Sequence, residues 1–130
     1  MKEIRMWENL NLIRYIGKTN NIMEFFDQAD IIVLPSYREG LSRVLLEAAS
    51  CGKTIIATDV PGCRDIVKDG ISGFLCEPRD AESLRETIVR SLNTPDSELL
   101  KLGQNGRRIV MEKFNSDIVN SIYVQLCEKL

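Results

Sequence analysis

The residues best suited to chemistry lie together in the stretch 36–47. An apolar run ends at Pro35, a glycine follows at position 40, and a helix is predicted from Leu41. The first backbone amides of such a helix are free, and the helix dipole attracts an anion to them. Because Gly40 has no β-carbon, a ligand can approach its backbone closely. The simpler alternative is that Gly40 only makes the turn and Ser42 only caps the helix.

Glu47 is a second candidate, because the helix that carries it is otherwise largely apolar. An ionised carboxylate in such a setting needs a partner. Arg43, four residues earlier on the same face, offers an ordinary ion pair worth about 0.3–0.5 kcal/mol. Alternatively, the carboxylate points into a cleft and accepts hydrogen bonds from ligand hydroxyls. A paired-carboxylate hydrolase built on Glu39 and Glu47 is disfavoured, because about 10 Å along the helix axis separates them.

The surrounding elements alternate between strands and helices. Residues 10–16 are rich in large apolar and β-branched side chains and stop at Gly17, which predicts a strand. Asn20 or Asn21 is expected to cap the next helix. Further strands are predicted over 30–35, 54–58 and 73–76, the first two buried on both faces of the sheet.

Glycine and proline residues separate the helices that are predicted after residue 40. They cover 41–51 with Gly52 at the C-terminal end, about one turn over 63–67, and a segment from Asp80 to about Leu92 that 93–95 breaks. Residues 96–130 predict two helices with a break near 114–116.

This order of elements predicts an α/β fold with a parallel sheet covered on both faces, in one domain that spans residues 1–130. Ligands bind such sheets at the carboxyl ends of the strands, which directs attention to the loops 17–21, 36–42 and 58–64. The segment Gly17-Lys18-Thr19 is not a Gly-x-Gly-x-x-Gly turn, so neither dehydrogenase nor P-loop chemistry is supported.

The composition excludes several classes of function. The 130 residues carry 17 Lys and Arg against 19 Asp and Glu, and the formal charge of −2 offers no basic surface for nucleic acid. The absence of histidine excludes serine–histidine and cysteine–histidine catalysis and most catalytic zinc sites by this chain alone. The four cysteines form no Cys-x-x-Cys pair, and we expect reduced, packed thiols in a cytoplasmic protein.

Several sequence blocks agree in order and spacing with one known family. LPSYREG (34–40), LLEA (45–48), IATDVPG (56–62) and DGISGF (69–74) resemble the signature of family-four retaining glycosyltransferases of the GT-B fold, also called glycosyl transferases group 1. Seven residues separate Glu39 from Glu47, as in the paired-glutamate motif of that family. The resemblance runs from about residue 13 to about residue 114.

The resemblance implies a Rossmann-like three-layer α/β/α domain, the nucleotide-sugar-binding C-terminal half of a two-domain enzyme. It implies that Glu47 holds the ribose hydroxyls of the donor and that Glu39 lies near the donor sugar as the catalytic residue. The other implied donor-binding positions act through their backbones: Gly40, Leu41 and Ser42 at the sugar and diphosphate, Gly17 and Lys18 at a uracil-type base. With the resemblance, we favour the ligand-binding interpretation of Gly40 and Glu47.

The resemblance also implies what surrounds this half. The full enzyme is expected to move a hexose from a nucleoside diphosphate sugar, UDP-sugar first, to a glycan or lipid-linked acceptor in polysaccharide biosynthesis, without a metal or other cofactor. We expect the chain to be a fragment that lacks the acceptor-binding half and the first strand–helix unit with its diphosphate-binding cations, and to be inactive alone. The resemblance allows peripheral association of the full enzyme with a membrane, and self-association of the fragment through a helix near 115–130. The alternatives are a nucleotide-sugar epimerase of the same architecture and a non-catalytic nucleotide-binding domain.

Overall fold

The computed structural model describes residues 2–117, and within this range the chain forms a parallel three-stranded sheet with helices. The strands are β1 (Ile31–Leu34), β2 (Thr54–Thr58) and β3 (Phe74–Cys76), in the order β1-β2-β3. The helices are α1 (Lys2–Asn9), α2 (Met23–Gln28), α3 (Arg43–Ser50), α4 (Pro61–Arg64), α5 (Ala81–Leu92) and α6 (Asp96–Lys113). Both strand pairs are parallel, with Val33 opposite Ile56 and Thr58 opposite Cys76.

The central strand β2 explains why the sheet is covered on both faces. All five of its residues are buried, and its side chains alternate between two apolar clusters. Ile55 and Ala57 belong to a cluster that α3 and α4 complete, whereas Ile56 packs with Phe74 and with residues of α5 and α6. The continuous apolar pattern of β2 is typical of a strand in the middle of a parallel sheet. The predicted three-layer α/β/α class is confirmed.

Helix α6 packs closely against both α3 and β2 because small residues lie at the contacts. Ala48 and Ala49 of α3 are fully buried. Gly103 of α6 sits against the turn after α3, where an added Cβ would lie 2.0 Å from the carbonyl oxygen of Gly52. Gly52 itself has a φ of 70°, which fits the C-terminal position predicted for it.

The prediction of a strand over residues 10–16 is wrong. This segment forms a turn and irregular chain, and its large apolar side chains are between 42% and 68% exposed. A strand needs a neighbour for its backbone hydrogen bonds, and this segment pairs with no strand among the described residues. Helix α1, which precedes it, has no buried residue either.

The boundaries of three other elements differ from the predictions. Strand β1 covers Ile31–Leu34 rather than 30–35 and lies at an edge of the sheet that the described residues form. Val33 is 41% exposed, so burial on both faces holds for β2 but not for β1. Helix α2 begins after Ile22 rather than after an asparagine cap, and Asn21 donates to the Glu24 side chain at 2.6 Å. Helix α3 begins at Arg43 rather than Leu41, because Ser42 is the capping residue.

The C-terminal part agrees with the predictions as far as the structure describes it. The turn expected over 63–67 is found slightly earlier, as α4, with Pro61 in its first turn. Asp80 caps α5, which ends at Leu92, and α6 ends at Lys113, just before the predicted break. The helix predicted near 115–130, with the self-association assigned to it, falls largely outside the described residues.

Candidate functional site

Two loops meet at the carboxyl edge of the sheet, because the parallel strands β1 and β2 both end there. Residues 35–42 connect β1 to α3, and residues 59–60 connect β2 to α4. The Thr58 hydroxyl donates to the carbonyl oxygen of Ser36. Gly62 lies so close to the first loop that a Cβ on it would be 1.6 Å from the Gly40 oxygen. The end of β2 and the turn after it therefore touch the first loop at two points.

Glu39 is held within this pair of loops. The hydroxyl of Ser36 donates to its Oε1 at 2.6 Å, and the residue is half-buried. A half-buried carboxylate with one oxygen engaged retains its second oxygen for a ligand hydroxyl. The structure thus puts Glu39 at the carboxyl edge, where the sequence predicted a ligand.

The amino end of α3 lies directly after these contacts. Ser42 caps it with a long hydrogen bond of 3.5 Å from the Leu45 amide, and the Ser42 carbonyl accepts from Leu46 at 3.0 Å. The backbone amides of Gly40, Leu41 and Ser42 donate to no acceptor among the described residues. A Cβ on Gly40 would meet no atom within 4 Å. The cap and an open approach to free amides are both present, so the two interpretations of this junction coexist.

Glu47 forms the ion pair that the sequence offered as the simpler alternative. Its Oε1 accepts from Nε of Arg43 at 2.8 Å, with the Arg43 side chain 90% exposed and that of Glu47 30% exposed. An exposed pair at this helical spacing contributes only about 0.3–0.5 kcal/mol. The contact uses one carboxylate oxygen, and Oε2 of Glu47 accepts from no donor within residues 2–117, which leaves it for a ligand.

The same carboxylate also borders a cleft. An open cleft of about 360 Å³ is lined by the loop 19–21, the start of α2 and the side of α3 that carries Arg43 and Glu47. Glu47 therefore lies beside the second part of the loop 17–21, one of the three loops at which the sequence predicts a ligand. Gly17 and Lys18 immediately precede the lining residues, and Gly17 takes a φ of 69° that favours glycine. Their contact with a base stays a prediction, as do the roles of Glu39 and Glu47.

Ser36, Thr58 and Gly62 lie in the loops 36–42 and 58–64, at which the sequence predicts a ligand, but the sequence assigned none of the three a role of its own. Each lies within four residues of the end of β1 or β2, and that position was the available signal.

A second cleft of about 270 Å³ opens between the ends of the three strands and α5. The Arg79 guanidinium lies 5.5 Å from the centre of the Tyr37 ring there.

Cys63 lies next to the site but is unsuited to nucleophilic attack. Burial raises the pKa of its thiol, the nearby Glu39 carboxylate raises it further, and a hydrogen bond with Thr58 opposes both. Burial likewise raises the pKa of Cys76. Both thiols therefore stay protonated at neutral pH. Cys51, Cys63 and Cys76 are all free thiols, as predicted for them. Among residues 2–117 no cluster of His, Cys, Asp or Glu could hold a metal ion.

The sheet, its two helical layers and the loops at its carboxyl edge define a Rossmann-like α/β domain of the kind that forms one half of GT-B enzymes, with a candidate ligand site at the carboxyl ends of the strands. The chain belongs to the family described as "Glycosyl transferases group 1", whose sequence pattern matches residues 2–109. The resemblance stated from the sequence blocks is thereby confirmed.

Named relatives and solved structures agree with this membership. The chain is 32% identical over 123 residues to N,N'-diacetylbacillosaminyl-diphospho-undecaprenol alpha-1,3-N-acetylgalactosaminyltransferase of Campylobacter jejuni, covering 94% of this chain and 32% of that protein. It is 31% identical over 115 residues to UDP-Gal:alpha-D-GlcNAc-diphosphoundecaprenol alpha-1,3-galactosyltransferase of Escherichia coli, covering 85% of this chain and 29% of that protein. The solved structure of sucrose-phosphate synthase from Thermosynechococcus elongatus is similar to this chain with a TM-score of 0.84 and 28% sequence identity. The match covers 99% of this chain and 34% of the synthase chain.

The chain thus spans about a third of the length of these three proteins. What those proteins do as wholes depends on more structure than this chain contains.

Proposed function

We propose that this chain is the donor-binding part of a retaining glycosyltransferase. The complete enzyme transfers a hexosyl group from a nucleoside diphosphate sugar, preferentially a UDP-sugar, to a glycan or lipid-linked acceptor in polysaccharide or glycoconjugate biosynthesis. The carrying observation is the 360 Å³ cleft in which Glu47 lies opposite the loop 19–21. The E. coli relative supports the choice of substrates, since its name gives UDP-Gal as donor and a diphosphoundecaprenol-linked sugar as acceptor.

The geometry supports a division of labour along the donor. The free amides of Gly40, Leu41 and Ser42, together with the dipole of α3, suit a diphosphate. The unengaged oxygen of Glu47 suits the ribose hydroxyls without requiring the Arg43 ion pair to break. The backbone at Gly17 and Lys18 then meets the base, and Glu39 lies near the transferred sugar. Precise positioning of the donor supplies much of the rate enhancement.

No metal ion or other cofactor is part of this proposal. The charge that develops on the departing diphosphate is stabilised by backbone amides, by the helix dipole and by cations of the complete enzyme. We further propose a cytoplasmic location, which the three free thiols support because reducing compartments keep cysteines unpaired. Within the described residues, no helix has the length and apolar character that crossing a bilayer demands.

The test is a calorimetric titration of this chain with uridine diphosphate. We expect Glu47→Ala to weaken binding by about tenfold or more, because hydrogen bonds to a charged group are lost. Glu86→Ala removes an exposed carboxylate from α5, away from the cleft, and serves as the matched control with unchanged affinity. Equal affinities for the Glu47 variant and the unsubstituted chain would overturn the ribose assignment.

A non-catalytic domain remains the competing function, and the Arg43–Glu47 ion pair is the observation that favours it. In that case Glu47 is a surface partner of Arg43 and nothing more. A glycosyl-transfer assay on the complete enzyme separates the two functions, because only a catalytic protein loses turnover on Glu39→Gln while still binding uridine diphosphate. We expect no turnover from this chain alone.

A further inference from the structure

We propose that Gly62 is a positioning residue, whose missing side chain lets the turn after β2 seat against the Gly40 carbonyl and so fixes Glu39 and the amino end of α3. The inference concerns the mutual position of two loops, and its consequence for donor binding rests on the function proposed above.

The requirement at position 62 is for space rather than for backbone freedom. A Cβ there would lie 1.6 Å from the oxygen and 2.4 Å from the carbon of the Gly40 carbonyl, and 2.8 Å from the Glu39 oxygen. All three distances are below 3.0 Å, and real Cβ atoms essentially never come that close to another heavy atom. Gly62 is part of the short helix α4, where an ordinary residue is accepted by the backbone. Only the contact with the other loop excludes a side chain.

The packing decides which of the two loops must move when a methyl group is added. The α4 side is anchored, since Cys63, Ile66 and Val67 are at most 1% exposed within the main apolar cluster. Gly40 is exposed and has open space beside its Cα. The displacement therefore falls on Gly40 and on the residues bonded to it, Glu39 and Leu41.

A second contact ties the same loop to the end of β2. The buried Thr58 hydroxyl donates to the Ser36 carbonyl, and the Ser36 hydroxyl donates to the Glu39 carboxylate. This chain of hydrogen bonds runs from the central strand to the candidate catalytic side chain. Thr58 fixes the start of the loop, and Gly62 fixes its end.

The first experiment compares Gly62→Ala with a matched control, Gly103→Ala. At position 103 an added Cβ is 2.0 Å from the Gly52 carbonyl oxygen, a comparable backbone clash at the opposite edge of the sheet. Amide resonances from ¹⁵N-labelled protein without ligand report the position of the loop. We expect Gly62→Ala to shift the amides of Glu39, Gly40 and Leu41, whereas Gly103→Ala leaves them in place.

The same proteins are then titrated with uridine diphosphate, with affinity expressed per folded molecule. We expect Gly62→Ala to weaken binding by about tenfold or more through lost alignment with the α3 amides, and Gly103→Ala to change it by less than about twofold. Equal losses in both variants would show that the effect is general destabilisation and would overturn the proposal.

Thr58 provides a second pair of variants if Gly62→Ala does not fold. Thr58→Val keeps the buried volume but removes the hydroxyl, whereas Thr58→Ser keeps the hydroxyl and removes a methyl group. We expect uridine diphosphate affinity to fall in the valine variant and to be largely retained in the serine variant, regardless of which is more stable. The reverse order would contradict positioning of the loop from β2.

The two proposals fail in different ways. If the unsubstituted chain does not bind uridine diphosphate while Gly62→Ala still shifts the loop amides, the donor assignment is lost and the loop contact stands. If binding is normal and the loop amides do not move, the positioning role is wrong and the donor assignment stands.

Discussion

At the scale of single residues, Glu47 shows how one carboxylate can satisfy a structural partner and a ligand together. Its Oε1 is engaged by Arg43, while the side chain borders the cleft next to the loop 19–21. A carboxylate accepts several hydrogen bonds through its two oxygens, so the ion pair and a ribose do not compete for the same atom. The pair favours a surface role for Glu47 but does not exclude a binding role for it.

The weakness of this pair gives a testable consequence. Because Arg43 is 90% exposed, we expect Arg43→Ala to change the free energy of unfolding by less than about 0.5 kcal/mol, as is usual for solvent-screened pairs. Urea denaturation followed by circular dichroism measures the change. A loss above about 1 kcal/mol would mean that the pair is a structural element and that Glu47 is committed to it.

The two buried thiols give a pH dependence with a defined sign. Burial raises the pKa of Cys63 and Cys76 above the ordinary value of 9.0. Above that pH the unfolded chain releases thiol protons that the folded chain retains, so the stability from these groups is full below pH 9.0 and declines as the pH rises further. We expect unfolding midpoints in urea to fall less steeply between neutral pH and about pH 10 in the Cys63→Ser, Cys76→Ser double variant. Parallel slopes for the two proteins would show that other groups, such as tyrosines and lysines, account for the whole effect.

At the scale of elements, most signals that lie within one segment predict the structure correctly, whereas signals that depend on distant partners do not. The run TIIAT predicted β2 with both boundaries correct, and Asp80 marked the start of α5. Apolar content and capping chemistry lie within the segment itself, so the sequence contains them. Residues 10–16 carry an equally apolar pattern, yet no strand forms, because a strand also requires a neighbour that the pattern cannot specify.

The exposure of Val33 has the same origin. The run 30–35 is as apolar as β2, but β1 lies at the edge of the described sheet. Position within a sheet is a property of strand order, which a short apolar run does not encode. The predicted asparagine cap of α2 is wrong for a different reason. The Asn21 side chain donates to Glu24, and the helix begins at Met23 with Ile22 at the cap position.

The serine cap of α3 and the aspartate cap of α5 are expected to contribute differently to stability. Asp80 accepts from the amides of Glu82 and Ser83 at 2.9 and 3.0 Å, whereas Ser42 accepts from Leu45 at 3.5 Å. We expect Asp80→Ala to lower the free energy of unfolding by about 1 kcal/mol and Ser42→Ala to lower it by less, because its cap bond is long. Urea denaturation of both variants gives the comparison. A larger loss for Ser42→Ala would indicate that its buried hydroxyl contributes more than the cap.

At the scale of the whole molecule, parallel topology explains which parts of the site could be predicted. Strands that run in one direction bring their carboxyl ends to one edge, so Glu39 and the amino end of α3 had to be neighbours of the loop after β2. The contact of Gly62 with Gly40 could not be predicted, because it depends on the path of two irregular loops. The sequence therefore indicates which residues lie at the site, but not how the two loops are positioned against each other.

The N-terminal part of the chain has a different relation to the fold. Helix α1 buries no residue, and the apolar side chains of 10–16 are exposed. The first residue that belongs to the apolar clusters is Ile22, which packs at the margin of the larger one. Residues 2–16 therefore add surface but little stabilisation among the described residues, and the core is formed by residues from Ile22 onward.

A truncated protein that begins at Gly17 tests this division. Because no buried contact is lost, we expect its free energy of unfolding in urea to stay within about 1 kcal/mol of that of the full chain, with a smaller helical signal from the loss of α1. Phe26→Ala is the contrasting variant: Phe26 is 3% exposed in the main cluster, and its truncation is expected to cost about 3–5 kcal/mol. If the truncated protein loses as much stability as Phe26→Ala, residues 2–16 must pack on the domain in solution. The apolar pattern of 10–16 would then be a core signal after all.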